Sequence, residues 1–272
     1  MSNRHPISVF FDYRGKICLH LGLLSLLALC GCDVNTQSSE SLKDHEIIAE
    51  YSISSRHETP GASPLLISLD ADLRYRKKGK NEMNWLLLKV DREPDETGYV
   101  DLSANESLIA SDGVIQQSLY RDTYLFGSSR YDTQWISNQS GEIQYTITLH
   151  RANGNNLAAN ITIPATPVIS SPASGQVFSV ANDTIDVSWD STADTYFLSI
   201  SGTCIQYSTF VHNSNQLSIP PGALNFIGDQ AECTATLRIS AKVTGEIDSR
   251  MHSSSYLDGT SLAAQMAMGV TP

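Results

Sequence analysis

Residues 65–75, LLISLDADLRY, place Leu65, Ile67, Leu69, Ala71, Leu73 and Tyr75 on one side of an extended chain and mostly polar residues on the other. Side chains of a strand alternate between its faces, so this period of two predicts one buried face and one wet face, as in antiparallel sheets. The pattern recurs at Ile47, Ala49, Tyr51 and Ile53, at Ile143, Tyr145, Ile147 and Leu149, and at Leu157, Ala159, Ile161 and Ile163. The last two runs flank RANGNN (151–156), whose Asn and Gly residues predict a hairpin turn. WLLLKV (85–90) is apolar through its centre and reads as a central strand. The best helical window, ESLIASDGVIQQSL (106–119), carries Gly113 and β-branched residues that count against a helix. The fold class expected is all-β.

Three prolines within PATPVISSP (164–172) mark a domain boundary, because proline blocks strand continuation. The following stretch, PVISSPASGQVFSVANDTIDVSWD (167–190), resembles the opening of an immunoglobulin-like or fibronectin type III domain. It has an entry strand at Pro167, a turn at Gly175, and Ile185, Val187 and Trp189 on one face. The resemblance implies that Trp189 packs between two sheets. Further strands are TYFLSIS (195–201), CIQYSTFV (204–211) and CTATLRISAKV (233–243), with a corner at Pro220-Pro221-Gly222. Two β-sandwich domains are expected, an antiparallel one over 46–164 and an immunoglobulin-like one over 165–272. The final strand belongs either to the second domain or to the first.

Upstream, LLSLLALCGCDVNTQ (23–37) ends an apolar run that begins at Ile17 and follows Arg4, Arg14 and Lys16. The run is shorter than the about 20 residues a spanning helix needs, and fits a secretory signal. Leu29-Cys30-Gly31-Cys32 resembles the lipobox of bacterial lipoproteins. That resemblance implies cleavage after Gly31, acylation of Cys32, and anchoring of the mature protein in the cell membrane facing the periplasm. Asp33 implies the inner membrane in enteric bacteria, with the outer membrane as the alternative. Residues 32–45 read as a flexible tether reaching roughly 20 Å. With Cys18 and Cys30 removed and Cys32 acylated, Cys204 and Cys233 remain, and an exported chain invites their disulfide.

The mature chain carries 15 basic and 28 acidic residues, a net charge of −13. That charge repels nucleic acid, so no nucleic-acid partner is expected. The basic cluster Arg74, Arg76, Lys77, Lys78 and Lys80 reads as a solvated hairpin end, with contact to a phosphate or lipid headgroup as the alternative. DGTSLAAQMAMG (258–269) resembles the nucleophile segment of subtilisin-like proteases, with Ser261 as nucleophile. The match fails at Gln265 and Met266 and finds no His or Asp in the family's contexts, so a triad cannot form. The stretch reads instead as a closing strand after a turn at Asp258-Gly259. DREPDETGYVD (91–101) has Glu96 and Leu102 where an EF-hand needs Gly and Glu, leaving a solvated loop or an irregular Ca²⁺ loop.

The seven histidines show no metal-ligand spacing. No catalytic, metal or cofactor residue is therefore assigned. The expected function is a non-enzymatic binding or assembly module of the cell envelope, anchored through its N-terminal acyl chains and recognising a protein or glycan. A carbohydrate- or peptidoglycan-directed accessory role is the alternative, with Tyr120, Tyr124, Tyr131 and Trp135 as the aromatic cluster. An enzyme is the third.

Overall fold

The computed structural model describes residues 35–57, 64–77, 81–84, 89–92, 96–123, 129–261 and 263–272. The expected signal segment, 1–31, and Cys32 lie outside them. The first half of the chain supplies β1 (Thr36–Ser38), β2 (Ile47–His57), β3 (Leu65–Lys77), β4 (Asn81–Asn84), β5 (Lys89–Arg92), β6 (Glu96–Asp101), β7 (Ser107–Ser111), β8 (Gln116–Ser118), β9 (Tyr120–Thr123), β10 (Ser129–Ser137), β11 (Ile143–His150) and β12 (Asn156–Ile163). The second half supplies β13 (Val168–Ser171), β14 (Val177–Ser179), β15 (Ile185–Asp190), β16 (Thr195–Gly202), β17 (Gln206–His212), β18 (Gln216–Ile219), β19 (Cys233–Thr244), β20 (Glu246–Ile247), β21 (Tyr256–Thr260) and β22 (Ala264–Thr271). The fold is all-β, built as two sandwiches, as the period of two predicts.

In the first sandwich β2 and β3 pair antiparallel from Ile47 opposite Tyr75 to His57 opposite Leu65. The alternating set of β3 faces inward, and Ile67, Leu69, Ala71, Leu73 and Tyr75 are all buried. Tyr51 lies opposite Ala71, so a large ring meets a small neighbour across the ladder. β10 holds the other edge of β3 from Leu65 to Asp72, and β6 takes it over from Arg74 to Lys77. The facing sheet runs β20-β12-β11-β7-β8. Its centre is the β11–β12 hairpin, with Tyr145, Ile147, Leu149, Leu157, Ala159 and Ile161 turned into the core. Each large apolar side chain buried this way contributes about 1.5–3 kcal/mol.

The second sandwich sets a three-stranded sheet, β13-β15-β18, against β17, β16, β19 and β22, with β14 parallel to β22. This is an immunoglobulin-like arrangement. Trp189 lies buried between the sheets, edge-on to the Tyr196 ring at 5.1 Å between centroids. Cys204, in the β16–β17 connection, is disulfide-bonded to Cys233 at the start of β19, with Cα atoms 6.0 Å apart.

The long strand β19 joins the two sandwiches. Its first part, Cys233–Ile239, pairs with β22, and its last residues, Lys242–Thr244, pair with β21. β21 in turn lies parallel to β2, Glu50 opposite Tyr256 through Ser54 opposite Thr260. One sheet therefore runs without a break through both sandwiches. β20 pairs with β12, and Met251 and Leu257 sit in the first core. The segment from Glu246 to Thr260 thus packs with the first sandwich, although it follows the Pro-rich junction, and β22 returns to the second, where Met268 and Val270 are buried. Gly259 makes the crossing tight enough, since a Cβ there would overlap the Cδ1 atoms of Ile161 and Ile163.

Three local expectations change, and the stretch argued against as a helix is assigned to strands. Asp258-Gly259 is part of β21 rather than a turn, because β2 supplies it with a parallel partner. ESLIASDGVIQQSL forms the β7–β8 hairpin, turning at Gly113 with φ 85°. In WLLLKV, Lys89 and Val90 belong to a separate β4–β5 ladder rather than a central strand, and 85–88 lie outside the described residues. Residues 36–46 are a folded strap, not a flexible tether. β1 lies parallel to β6, and Ser39 and Leu42 are buried.

The Cys204–Cys233 bridge closes a loop with a sequence separation of 29. A Cys204→Ser/Cys233→Ser variant is expected to lose about 3–4 kcal/mol of unfolding free energy in urea titration. Free-thiol counting on the folded wild type should find neither cysteine reactive.

Candidate binding surfaces

The strap is held by a buried ion cluster. Arg151 leaves the β11–β12 turn, and its side chain is only 2% exposed. Its Nε donates to Glu106 Oε1 at 2.8 Å, and a terminal nitrogen donates to Asp44 Oδ1 at 2.9 Å. The other terminal nitrogen donates to the carbonyls of Ser39 and Leu42 at 2.7 and 2.9 Å. Glu106 also accepts from the Ser39 hydroxyl and from the Ala152 N–H. Asp44 accepts a further bond from Asn155 Nδ2 at 2.9 Å. A buried charge is tolerable only when paired and hydrogen-bonded in this way. The cluster spends its charges on seating residues 39–46.

A second polar cluster closes the β7–β8 turn. Asp112 Oδ1 accepts from the N–H groups of Val114 and Ile115, and Oδ2 accepts from Ser137 Oγ at 3.1 Å and Trp135 Nε1 at 3.4 Å. Burial alone would raise the Asp112 pKa, but these four donors outweigh it and hold the carboxyl below its ordinary value.

Two outward surfaces of the described residues combine aromatic and basic side chains. Beside the strap, Asn35, Ile48, Arg74, Arg76, Thr97 and Tyr99 surround a cleft of about 570 Å³. The Arg74 guanidinium stands 5.9 Å from the Tyr99 ring centroid and is held by Asp72 at 2.7 Å, with Glu50 at 3.6 Å. Gly98 lets the strap approach, since a Cβ there would overlap the Asn35 carbonyl, which accepts from the Tyr99 N–H at 2.9 Å. Of the basic cluster read from the sequence, Arg74 and Arg76 line this cleft, Lys77 stands 5.9 Å from the Tyr75 ring centroid, and Lys78 and Lys80 lie outside the described residues.

The other surface is the outer face of β16 and β17. Phe197 lies opposite Phe210 across the ladder, with ring centroids 5.2 Å apart, and Phe210 stacks on the His212 ring at 6.4 Å. Phe210 is 56% exposed. Arg238 and Lys242 of β19 flank the pair, opposite Ser199 and Thr195. Among the described residues β17 lies at the end of its sheet order and pairs only with β16.

The aromatic cluster expected from the sequence does not assemble as a surface. Tyr131 and Trp135 are buried in the first core, Tyr120 is exposed, and Tyr124 lies outside the described residues. Their spacing of i and i+4 around Thr133 put both on the inner face of β10. Conversely, Phe197 shares the parity of Thr195 and Ser199, which marks the wet face, and that signal would have found it. Ser261 is buried, and its Oγ accepts from the Ala241 N–H at 2.9 Å, so it fastens the crossing to β19. His150, His212 and His252 bond to Asn156, Thr195 and the Ser254 N–H, respectively. Among the described residues no three His, Cys, Asp or Glu side chains are grouped to hold a metal. Cys32 and the acidic loop at 93–95 lie outside the described residues.

No protein-family model and no curated protein sequence matches the chain. Among solved structures it is similar to fibronectin(III)-like modules of Clostridium thermocellum CbhA at 8% identity, covering 85% of this chain and 92% of that one, with a TM-score of 0.23. It is also similar to a 1.5-MDa bacterial ice-binding adhesin at 10% identity, covering 84% of this chain and 66% of the other, with a TM-score of 0.22. Superpositions this loose assign neither partner nor activity.

Truncating one member of the Arg151 cluster strands a buried charge. Arg151→Ala is expected to cost about 3–5 kcal/mol in urea unfolding and to open the strap to proteolysis at Lys43. Glu106→Met/Arg151→Met should cost less than the sum of its single changes, because it removes both charges together.

Proposed function

We propose that the chain is a lipid-anchored envelope protein, acylated at Cys32, that binds a partner through the outer face of β16–β17. The observation that carries this is the outward-facing Phe197–Phe210–His212 group, half-buried at Phe197 and exposed at Phe210 and His212, beside the β17 edge that has no strand partner among the described residues. A solvent-facing aromatic pair beside open main-chain donors and acceptors suits an extended protein segment. Such a segment adds to β17 by main-chain hydrogen bonds and seats an apolar side chain against Phe210. Anchoring is supported by the lipobox resemblance at Leu29–Cys32, and the inner membrane by Asp33.

The role is binding rather than catalysis. The buried charges Asp44, Glu106, Asp112 and Arg151 are engaged in bonds that fix loops. A glycan is the second reading, favoured by the same two rings, since aromatic faces also stack on apolar ligand surfaces.

An acyl-chain metabolic probe is expected to label the wild type and not Cys32→Ser; labelling that survives the substitution overturns the anchor. Cross-linking in intact envelopes should give a protein adduct that Phe210→Ser reduces at least tenfold with the fold retained. An adduct unchanged by that substitution removes the β17 face from the function. Co-sedimentation with purified peptidoglycan, lost in Phe210→Ser, would select the glycan instead.

A further inference from the structure

We infer that the cleft between β3, β6 and the strap is a headgroup site, which takes the phosphate of an anionic membrane phospholipid and holds the first sandwich against the bilayer. The inference rests on the anchoring proposed above. It begins with distance. Asn35 lines the cleft, and its carbonyl accepts from the Tyr99 N–H, which fixes that residue to the first sandwich. Three peptide steps separate Asn35 from Cys32, which span at most about 11 Å. Headgroups occupy a layer about 5–7 Å deep on each side of the hydrocarbon. An acylated Cys32 therefore keeps Asn35 within about 11 Å of the acylated residue, close enough for the cleft to reach that layer when its own chemistry draws it there.

The chemistry of the cleft matches the place. Arg74 and Arg76 sit two residues apart on the outer face of β3, about 6.7 Å along the strand, both exposed. Guanidinium groups present planar forks suited to phosphate oxygens. Thr97 adds a hydroxyl, and Tyr99 adds an amphipathic ring of the kind that settles at a membrane interface. No carboxylate lines the cleft. Asp72 bonds Arg74 from outside it and fixes the guanidinium near the Tyr99 ring, so little side-chain freedom is lost on binding.

The outer face of β3 is also graded in charge. It runs from Asp70 and Asp72 to Arg74 and Arg76, with the basic end nearest the strap. In a mature chain of net charge −13, an anionic surface attracts this end and repels the rest. The acyl anchor supplies proximity, and the cleft supplies orientation.

The test uses the full acylated chain purified from membranes, with a fluorophore on Glu96→Cys, and a headgroup quencher in vesicles. One set is phosphatidylcholine alone, another contains one-third phosphatidylglycerol, and a third is the phosphatidylglycerol set with free inorganic phosphate added. Quenching is expected to rise with phosphatidylglycerol and to fall roughly tenfold or more in Arg74→Gln/Arg76→Gln, while Arg74→Lys/Arg76→Lys keeps most of it. Equal quenching in the Gln variant and the wild type, or in the two lipid sets, overturns the site. Loss of quenching by free phosphate in the phosphatidylglycerol set identifies the phosphate group as what is recognised; quenching that persists alongside a phosphate-insensitive Gln variant overturns that assignment. Acylation is read on the same sample by mass. An acylated but unquenched chain overturns the headgroup site and leaves anchoring intact, whereas an unacylated chain overturns both.

Discussion

Main-chain hydrogen bonding along β19 is the constraint on which the architecture rests. A strand buried in a sheet must satisfy donors and acceptors on both edges, and β19 does so with three partners. β16 covers one edge, while β22 and then β21 share the other. The handover near Ser261 turns two sandwiches into one continuous sheet. The Ser261 hydroxyl and main chain bond to Ala241 at the changeover, which leaves the β19 ladder without a gap. Gly259 then lets β21 lie flat beneath Ile161 and Ile163.

The elements legible in the sequence are those whose information is local. Leu65–Tyr75 and the runs around RANGNN announce both strand and buried face, because parity is a property of neighbouring residues. Trp189 and the cysteine pair were legible through resemblance and through cysteine counting. The crossing of β20 and β21 into the first core was not legible. Its partners, β12 and β2, lie far back in the chain, and strand pairing between distant segments leaves no periodic trace. The strap was hidden for a related reason. Its composition is that of a loop, and its order comes from Arg151, Glu106 and Asn155, residues that mean little until the fold brings them together.

The surfaces follow the same division. Parity alone separates buried Tyr131 and Trp135 from half-buried Phe197 and exposed Phe210, so the aromatic face was accessible to a stricter reading of wet positions. The cleft beside the strap was only half visible. Arg74 and Arg76 stood out as charge, but their meeting with Tyr99 and Asn35 depends on β6 being laid between β3 and β1.

The strap also sets how the molecule bears load. Because β1 runs parallel to β6, a pull on the N-terminus along the strand strains their hydrogen bonds together, in shear, rather than peeling them one at a time. Behind them the Arg151 guanidinium grips two carbonyls and two carboxylates, from the far side of the first core. Force applied at the N-terminal end is thus carried into the β11–β12 hairpin, and the first sandwich resists being drawn out of shape from that end.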